Sequence, residues 1–280
     1  MKTISLYPNL KRDADLSCTR FLACCLAEKG ARVLVSLAHR EALSDLSETV
    51  SFVSEEALFT DGDCIVPLGG DGTILSIARR AAEADIPIFG VNLGHVGFMA
   101  ALEKNQLSQI TRLLDGDVFV SSRMLIACSI NSKEELLALN ECVIAPDKGI
   151  HIVELSLFDG KRKICDFRAD GLIFNTPTGS TGYSFSAGGA VIDSDFDCIG
   201  VKAISSYLLI NSHHMVFKPE TVFTVKNIRS EGSKVTVCAD GREERVLREG
   251  DVVRLARSNK RVKLMFLKPK SNLEVFFRKF

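Results

Sequence analysis

The first ninety residues alternate between short apolar runs and amphipathic stretches. Runs at residues 4–7, 32–37, 64–68 and 86–91 have the length and branched side chains of strands, whereas residues 15–29 and 74–84 repeat apolar positions every three or four residues and predict helices. Strands and helices in alternation predict an α/β domain around a mainly parallel sheet. Residues 38–63 are polar and acidic and predict a helix with a mobile surface loop, and a further helix is expected over residues 103–114. From residue 118 to 267 the texture changes. Short β-rich runs recur between turn signals such as Phe158-Asp159-Gly160-Lys161 and Ala239-Asp240-Gly241-Arg242, which predicts an all-β sandwich. The expected organisation is α/β plus all-β: a Rossmann-like α/β domain at 1–117, a β-sandwich domain at 118–267, and a C-terminal tail at 268–280, apolar enough to pack back on the body.

Composition adds limits to this picture. At 280 residues, on a rule of roughly 150 residues per domain, two domains are expected, and 46% apolar residues can fill two cores. Lys+Arg and Asp+Glu each number 35, so no net field attracts nucleic acid or an anionic membrane. Any recognition of phosphate must be local. The nine cysteines show no paired CxxC metal spacing, and most have apolar neighbours, as buried free thiols would. With no apolar signal segment after Met1-Lys2-Thr3 and no run near the ~18 apolar residues of a membrane span, the expected compartment is the reducing cytoplasm.

Chemistry concentrates where the apolar run 64–68 meets the helical pattern from residue 74. Gly69-Gly70-Asp71-Gly72-Thr73 lies at that junction, where an α/β sheet binds ligands and glycines let phosphate approach the N–H groups of a helix start. Its only ionisable side chain is an acid. A carboxylate repels bare phosphate, so Asp71 suits activating a hydroxyl or holding a metal, and the turn reads as a phosphoryl-transfer site. The plainer alternative is a tight turn whose glycines only supply positive φ and whose aspartate caps the helix. A second glycine-rich loop, Asn92-Leu93-Gly94-His95-Val96-Gly97-Phe98, follows another expected strand and should lie on the same sheet edge.

Two further segments complete the set. Asn140-Glu141 pairs an amide able to grip an adenine edge with a carboxylate able to accept from a ribose diol. Arg168-Ala169-Asp170-Gly171 leads into Thr176-Pro177-Thr178-Gly179-Ser180-Thr181-Gly182-Tyr183-Ser184-Phe185-Ser186-Ala187-Gly188-Gly189-Ala190. So many small hydroxyl and glycine residues suit close approach to a polar ligand, with Tyr183 offering a flat surface to a ring. No Walker A sequence occurs, and Ser5-Leu6-Tyr7-Pro8-Asn9 stands where a dinucleotide-binding GxGxxG would follow the first strand, which argues against a dehydrogenase.

In their order and separations, GGDGT, NLGHVGF, NE and DGLIFNTPTGSTGYSFSAGGA resemble the ATP-dependent NAD kinases of bacterial type. The GGDG loop is shared with lipid kinases and 6-phosphofructokinases; the TPTGSTGY segment separates them. The resemblance implies transfer of the γ-phosphoryl of ATP to the 2′-hydroxyl of the adenosine ribose of NAD, with Asp71 as proton acceptor and Gly72 bringing backbone against the dinucleotide. It assigns Asn140 and Glu141 to the adenosine, and Asp170, Thr181, Gly182, Tyr183, Ser184, Phe185 and Ser186 to the NAD site, with His151 and Arg168 at ligand-contacting positions. Gly69, Gly70, Thr73 and Phe98 would support the loops. Gly182 stands in place of a common alanine, and Arg242 in place of a glutamine of some members, so Arg242 is not assigned a role. The resemblance further implies Mg carried with ATP and no dedicated protein metal site, small-molecule partners only, and a homodimer or homotetramer. A lipid or sugar kinase using the same loop, and a non-catalytic dinucleotide sensor, are the alternatives.

Overall fold

Contacts divide the chain into two units, residues 1–122 with 261–280, and residues 123–260. The computed structural model describes residues 1–94, 97–148, 151–208, 212–230 and 232–279, with backbone alone at 134, 135, 243, 278 and 279.

The first unit begins β1 (Thr3–Pro8), α1 (Ser17–Glu28), β2 (Arg32–Ser36), β3 (Val50–Val53), α2 (Ala57–Thr60), β4 (Cys64–Gly69) and α3 (Asp71–Glu83), and continues with β5 (Val91–Asn92) and β6 (Leu102–Glu103). Among the described residues these strands form one six-stranded parallel sheet in the order β3-β2-β1-β4-β5-β6. Parallel strands are covered on both faces, so β4 is buried along its whole length and reads as an unbroken apolar run. The strand order reverses between β1 and β4. In a doubly wound sheet that reversal opens a crevice at the carboxyl ends of those two strands. Helix α3 buries Thr73, Ile74, Ile77, Ala78, Ala81 and Ala82 at helical spacing, and burying Ile74 and Ile77 contributes about 2 kcal/mol each.

Three expected elements take another form. Residues 38–63 hold two 3-10 turns (Leu37–His39 and Ser44–Leu46) with β3 and α2, in place of one helix and a loop. Strand β3 pairs four residues with β2, from Val33↔Val50 to Ser36↔Val53, too few to show a period in sequence. Lys104–Leu113 is a 3-10 helix; its buried Ile110 and Leu113 lie three apart, which suits three residues per turn as well as an α-helix. The run 86–91 pairs as a strand only from Val91, with two isolated bridges at Ile88, to Ile65 and to Leu264. Pro87, which has no N–H, interrupts the ladder there.

The second unit takes in β7 (Phe119–Ile130) from residue 123 on, β8 (Lys133–Ala138), β9 (Glu141–Pro146), β10 (Val153–Asp159), β11 (Arg162–Ala169), β12 (Gly171–Asn175), the short α4 (Tyr183–Ser186), β13 (Ile199–Ile204), β14 (Met215–Phe217), β15 (Phe223–Ser230), β16 (Val235–Ala239), β17 (Glu243–Leu247) and β18 (Val253–Phe266) as far as residue 260. Among the described residues they form two sheets, β11-β10-β15-β18-β7-β8 and β14-β13-β12-β9-β16-β17. Leu155, Leu157, Phe167 and Val225 of one join Cys142, Ile144, Phe174 and Val201 of the other in one core, the expected sandwich. Phe174 and Phe223 meet across it with ring centroids 5.5 Å apart. The β16–β17 hairpin turns through residues 240–242, between paired Ala239 and Glu243, with Asp240 (φ 49°) and Gly241 (φ 67°) both left-handed.

Residues 261–280 return to the first unit and end in α5 (Asn272–Lys279). Leu264 bridges Ile88, Met265 joins the first core, and Val275 is buried, so the tail docks as its apolar composition predicts. All nine cysteines are free thiols, five of them buried.

Candidate functional site

In the first unit, the Gly69–Thr73 turn sits at the carboxyl end of β4, beside the end of β1. None of Gly69, Gly70 and Gly72 has positive φ, so the turn does not use glycine for backbone handedness. At Gly69 the reason is space: a Cβ there would lie 2.9 Å from Thr73 Cβ and 3.2 Å from Asn9 Cβ. Asn9 Nδ2 donates to Thr73 Oγ1 at 2.8 Å, and the Asn9 N–H donates to the Leu68 carbonyl at 2.9 Å, which ties the ends of β1 and β4 together. Gly70 precedes α3 in extended conformation, and Gly72 is exposed on the first helical turn.

Asp71 is the first residue of α3, and its carboxylate does not cap the helix. Oδ2 accepts from the Phe98 N–H at 2.8 Å and Oδ1 from the Met99 N–H at 3.0 Å. The second glycine-rich loop thus comes down onto Asp71 and fixes its plane. Gly97 permits this, since a Cβ there would lie 2.8 Å from Asp71 Oδ1. The contribution of Phe98 is its backbone. Each carboxylate oxygen has a second lone pair beyond its backbone bond. His95 and Val96 of the same loop lie outside the described residues.

In the second unit, Asn140 and Glu141 stand at the start of β9, clamped on two sides. On one side the Asp240 carboxylate accepts three consecutive backbone N–H groups: Leu139 on Oδ2 at 2.8 Å, and Asn140 and Glu141 on Oδ1 at 2.8 and 3.1 Å. On the other, Thr176 bonds the Leu139 and Asn140 carbonyls through its hydroxyl and N–H, at 2.6 and 2.9 Å. Gly179 presses so closely that a Cβ would lie 2.6 Å from Asn140 Cα, and a Cβ on Gly182 would stand 3.0 Å from Glu141 Oε2. The backbone is saturated, but Asn140 Oδ1 and Glu141 Oε2 are buried without a hydrogen-bond partner in the protein. Buried polar atoms of native proteins are paired as a rule, so these two adjacent oxygens have acceptor capacity that the protein itself does not use.

Glu141 is 8% exposed. Burial first, and the Asp240 charge second, push its carboxyl up to about 7, against a downward pull from the Tyr183 N–H. Asp240 is pushed up to about 6 by burial, partly offset by its three N–H bonds, which favour the carboxylate.

The 176–190 segment folds as a 3-10 turn (Thr178–Thr181) running into α4. Thr181 and Gly182 are half-buried, Tyr183 is 45% exposed, Ser184 is buried with its hydroxyl unpaired, Phe185 is half-buried and Ser186 is exposed. Gly182, Tyr183 and Glu141 are therefore brought together. The remaining residues of the expected set have other neighbours. The Arg168 guanidinium pairs with Glu154 at 3.0 Å, and Tyr207 lies 5.4 Å from it as a ring partner. Half-buried Asp170 donates its N–H to Ile204 at 2.9 Å, and His151 lies beside the Gly232 turn.

Asn9, Asp240 and His214 carry structural weight that the sequence reading did not give them. Asp240 was visible as half of a turn signal, but its clamp reaches a hundred residues back along the chain. His214 Nδ1 accepts from the Ala190 N–H at 3.0 Å, which leaves Nε2 as the donor to Asn175 Oδ1 at 3.2 Å. Burial and nearby Lys202 hold its pKa below the usual range, so the neutral ring staples the end of the glycine-rich segment to β12.

Comparison with known proteins identifies the family of the chain. Residues 16–118 match the model of the ATP-NAD kinase N-terminal domain, and residues 139–267 that of the ATP-NAD kinase C-terminal domain. An NAD kinase of Natranaerobius thermophilus is 34% identical over 97% of this chain and 95% of its own, and one of Citrifermentans bemidjiense is 32% identical over 98% and 96%. A solved NAD kinase from Archaeoglobus fulgidus in complex with ATP superposes with TM-score 0.73 at 25% identity, covering 99% of this chain and 96% of that one. The fold also matches yeast NADH kinase complexed with NADH, with TM-score 0.83 at 18% identity over 100% of this chain and 86% of that one. With both domain models matched in order and full-length relatives above 30% identity, the chain belongs to the ATP-NAD kinase family.

Proposed function

We propose that the protein transfers the γ-phosphoryl of Mg-ATP to the 2′-hydroxyl of the adenosine ribose of NAD, giving NADP, with Asp71 taking the hydroxyl proton. The observation that carries this reading is the Asp71 carboxylate at the sheet's switch point, its plane fixed by two backbone N–H groups and a lone pair left on each oxygen. Phosphoryl transfer asks little of the protein beyond an in-line hydroxyl, a proton acceptor and cationic charge on the phosphoryl oxygens. In this reading the magnesium arrives with ATP and is held mainly by the nucleotide phosphates.

Asn140 Oδ1 and the Glu141 carboxylate are suited to the donors of adenosine, and the exposed Tyr183 ring to stacking on a base. Gly72, Thr181, Gly182, Ser184, Phe185 and Ser186, with His151, Arg168 and Asp170, complete the proposed NAD-binding set; Gly69, Gly70, Thr73 and Phe98 support it. The purified protein with Mg-ATP is expected to convert NAD to NADP and to leave diacylglycerol untouched. Phosphatidate without NADP would instead identify a lipid kinase, and NAD binding without any product a sensor; polyphosphate in place of ATP tests the donor. Among the described residues no helix is long and apolar enough to cross a membrane. A cytoplasmic homodimer or homotetramer is proposed, and full activity from a monomer by light scattering at assay concentration contradicts the assembly.

The position of Asp170 makes a further expectation. A carboxylate near a nicotinamide ring that is cationic only in the oxidised dinucleotide favours NAD over NADH, and about 1.4 kcal/mol suffices for tenfold. Equal kcat/KM on both would remove Asp170 from that role.

Glu141 gives a pH signature. As its carboxyl titrates near 7, the form that accepts two ribose donors fills in as pH rises from 6 to 8, so KM for NAD should fall across that window. Glu141→Gln should raise KM about 10- to 100-fold, as loss of hydrogen bonds to a charged group does, and flatten the profile. Stability moves the other way. A carboxyl whose folded pKa is raised contributes stability below its ordinary value, about 4.5, and loses it as pH rises through about 7, so the glutamine variant should melt higher than wild type at pH 8. A variant that keeps the parent's pH profile for KM assigns that profile to another group.

A further inference from the structure

We infer that Lys270, on the tail ahead of α5, is a positioning residue for Asp71, a role that rests on Asp71 as the proton acceptor. The peptide group joining Gly97 to Phe98 is engaged at both ends. Its carbonyl accepts from Lys270 Nζ at 3.0 Å, and its N–H donates to Asp71 Oδ2 at 2.8 Å. An ammonium at the oxygen and a carboxylate at the hydrogen polarise the amide in the same sense, and bonds chained in this way strengthen one another.

Lys270 also bonds the Ala100 carbonyl at 2.8 Å. The two contacts bracket residues 98 and 99, whose N–H groups are the ones on Asp71. Just beyond them, the Ala101 N–H continues to the Gly90 carbonyl at 2.8 Å, which anchors the loop beside the sheet. An ammonium has three donors and can serve two carbonyls from one atom. Lys270 is half-buried, its Nζ 5.7 Å from the Phe266 ring centre, on a tail segment held between the Leu264 bridge and buried Val275. The loop glycines bring backbone to Asp71, and Lys270 holds that backbone where it binds.

Lys270→Met keeps most of the side-chain volume and removes the donors. It should lower kcat about 10- to 100-fold, the scale of a misplaced catalytic group, with KM for NAD within twofold of wild type. Lys270→Arg should recover much of the loss. In an Asp71→Asn background Lys270→Met should cost little more, because both changes act on the same group. Thermal midpoints are measured alongside, and if the methionine variant does not fold, Lys270→Gln, with an amide able to reach one carbonyl, takes its place in the same assays. Unchanged kcat in Lys270→Met, an equal fold-loss with and without Asp71, or a loss confined to KM would each overturn the inference while leaving Asp71 as proton acceptor. Near-normal turnover in Asp71→Asn alone would overturn both.

Discussion

Asp71→Asn is expected to lower NADP formation roughly 10²- to 10⁴-fold, the range for loss of a general base, while NAD still binds. The side chain keeps its shape and the glycines around it are untouched, so the chemical change is the loss of a proton acceptor. The structure adds a second effect. Both oxygens of Asp71 accept backbone N–H groups, and an asparagine amide must set its own N–H against that of Phe98 or Met99. One bond is lost with the charge, so the Gly97–Ala100 segment should loosen and the thermal midpoint should fall modestly. Calorimetric titration with NAD beside steady-state rates separates the two consequences. If turnover stays near normal, Asp71 only holds the loop, and the proton leaves by another route.

Asp240→Asn should cost the fold about 2 to 4 kcal/mol, through one buried N–H left without an acceptor and weaker bonds to the others. Asparagine accepts the left-handed backbone at this position, where φ is 49°, so the turn itself should survive. The amide can serve Asn140 and Glu141 through its oxygen, but its nitrogen then faces the Leu139 N–H. Spread over a protein of this size, the loss should appear as a midpoint drop of about 5 to 10 °C. Removing the charge beside Glu141 also removes one cause of its raised pKa, so the pH dependence of KM for NAD should shift toward acid. A variant with wild-type stability and an unmoved profile would show that the three N–H groups find other partners.

The junction of β4 and α3 was legible in sequence because it combines three local signals: a fully apolar strand, glycines, and a helical period that follows at once. The change to β texture near residue 118 was legible for the same reason, since hairpin turns repeat it many times. What stayed hidden acts at long range. Strand β3 is four residues at a sheet edge, identified only by its pairing with β2. The 104–113 segment has an apolar stripe that two helix types share, and the sequence does not choose between them. Asn9 looks like the end of a strand until Thr73 is seen opposite it, and Lys270 like one more surface lysine until the carbonyls of Gly97 and Ala100 are. The carboxylate of Asp240 reads as half of a turn, because nothing within ten residues reveals the N–H groups it accepts.

The division of the first unit between residues 1–122 and 261–280 sets an order of events during synthesis. On a ribosome adding about 5–20 residues per second, the β1–β6 sheet is complete in sequence well before its last contributors emerge. Through that interval Ile88 has no Leu264 to pair with, the core lacks Met265, and the carbonyls of Gly97 and Ala100 have no Lys270. The second unit, residues 123–260, is an uninterrupted stretch that leaves the tunnel before residue 261. A chain truncated after residue 260 and released should therefore carry a protease-resistant β unit behind an N-terminal segment that is still cleavable, and should form no NADP.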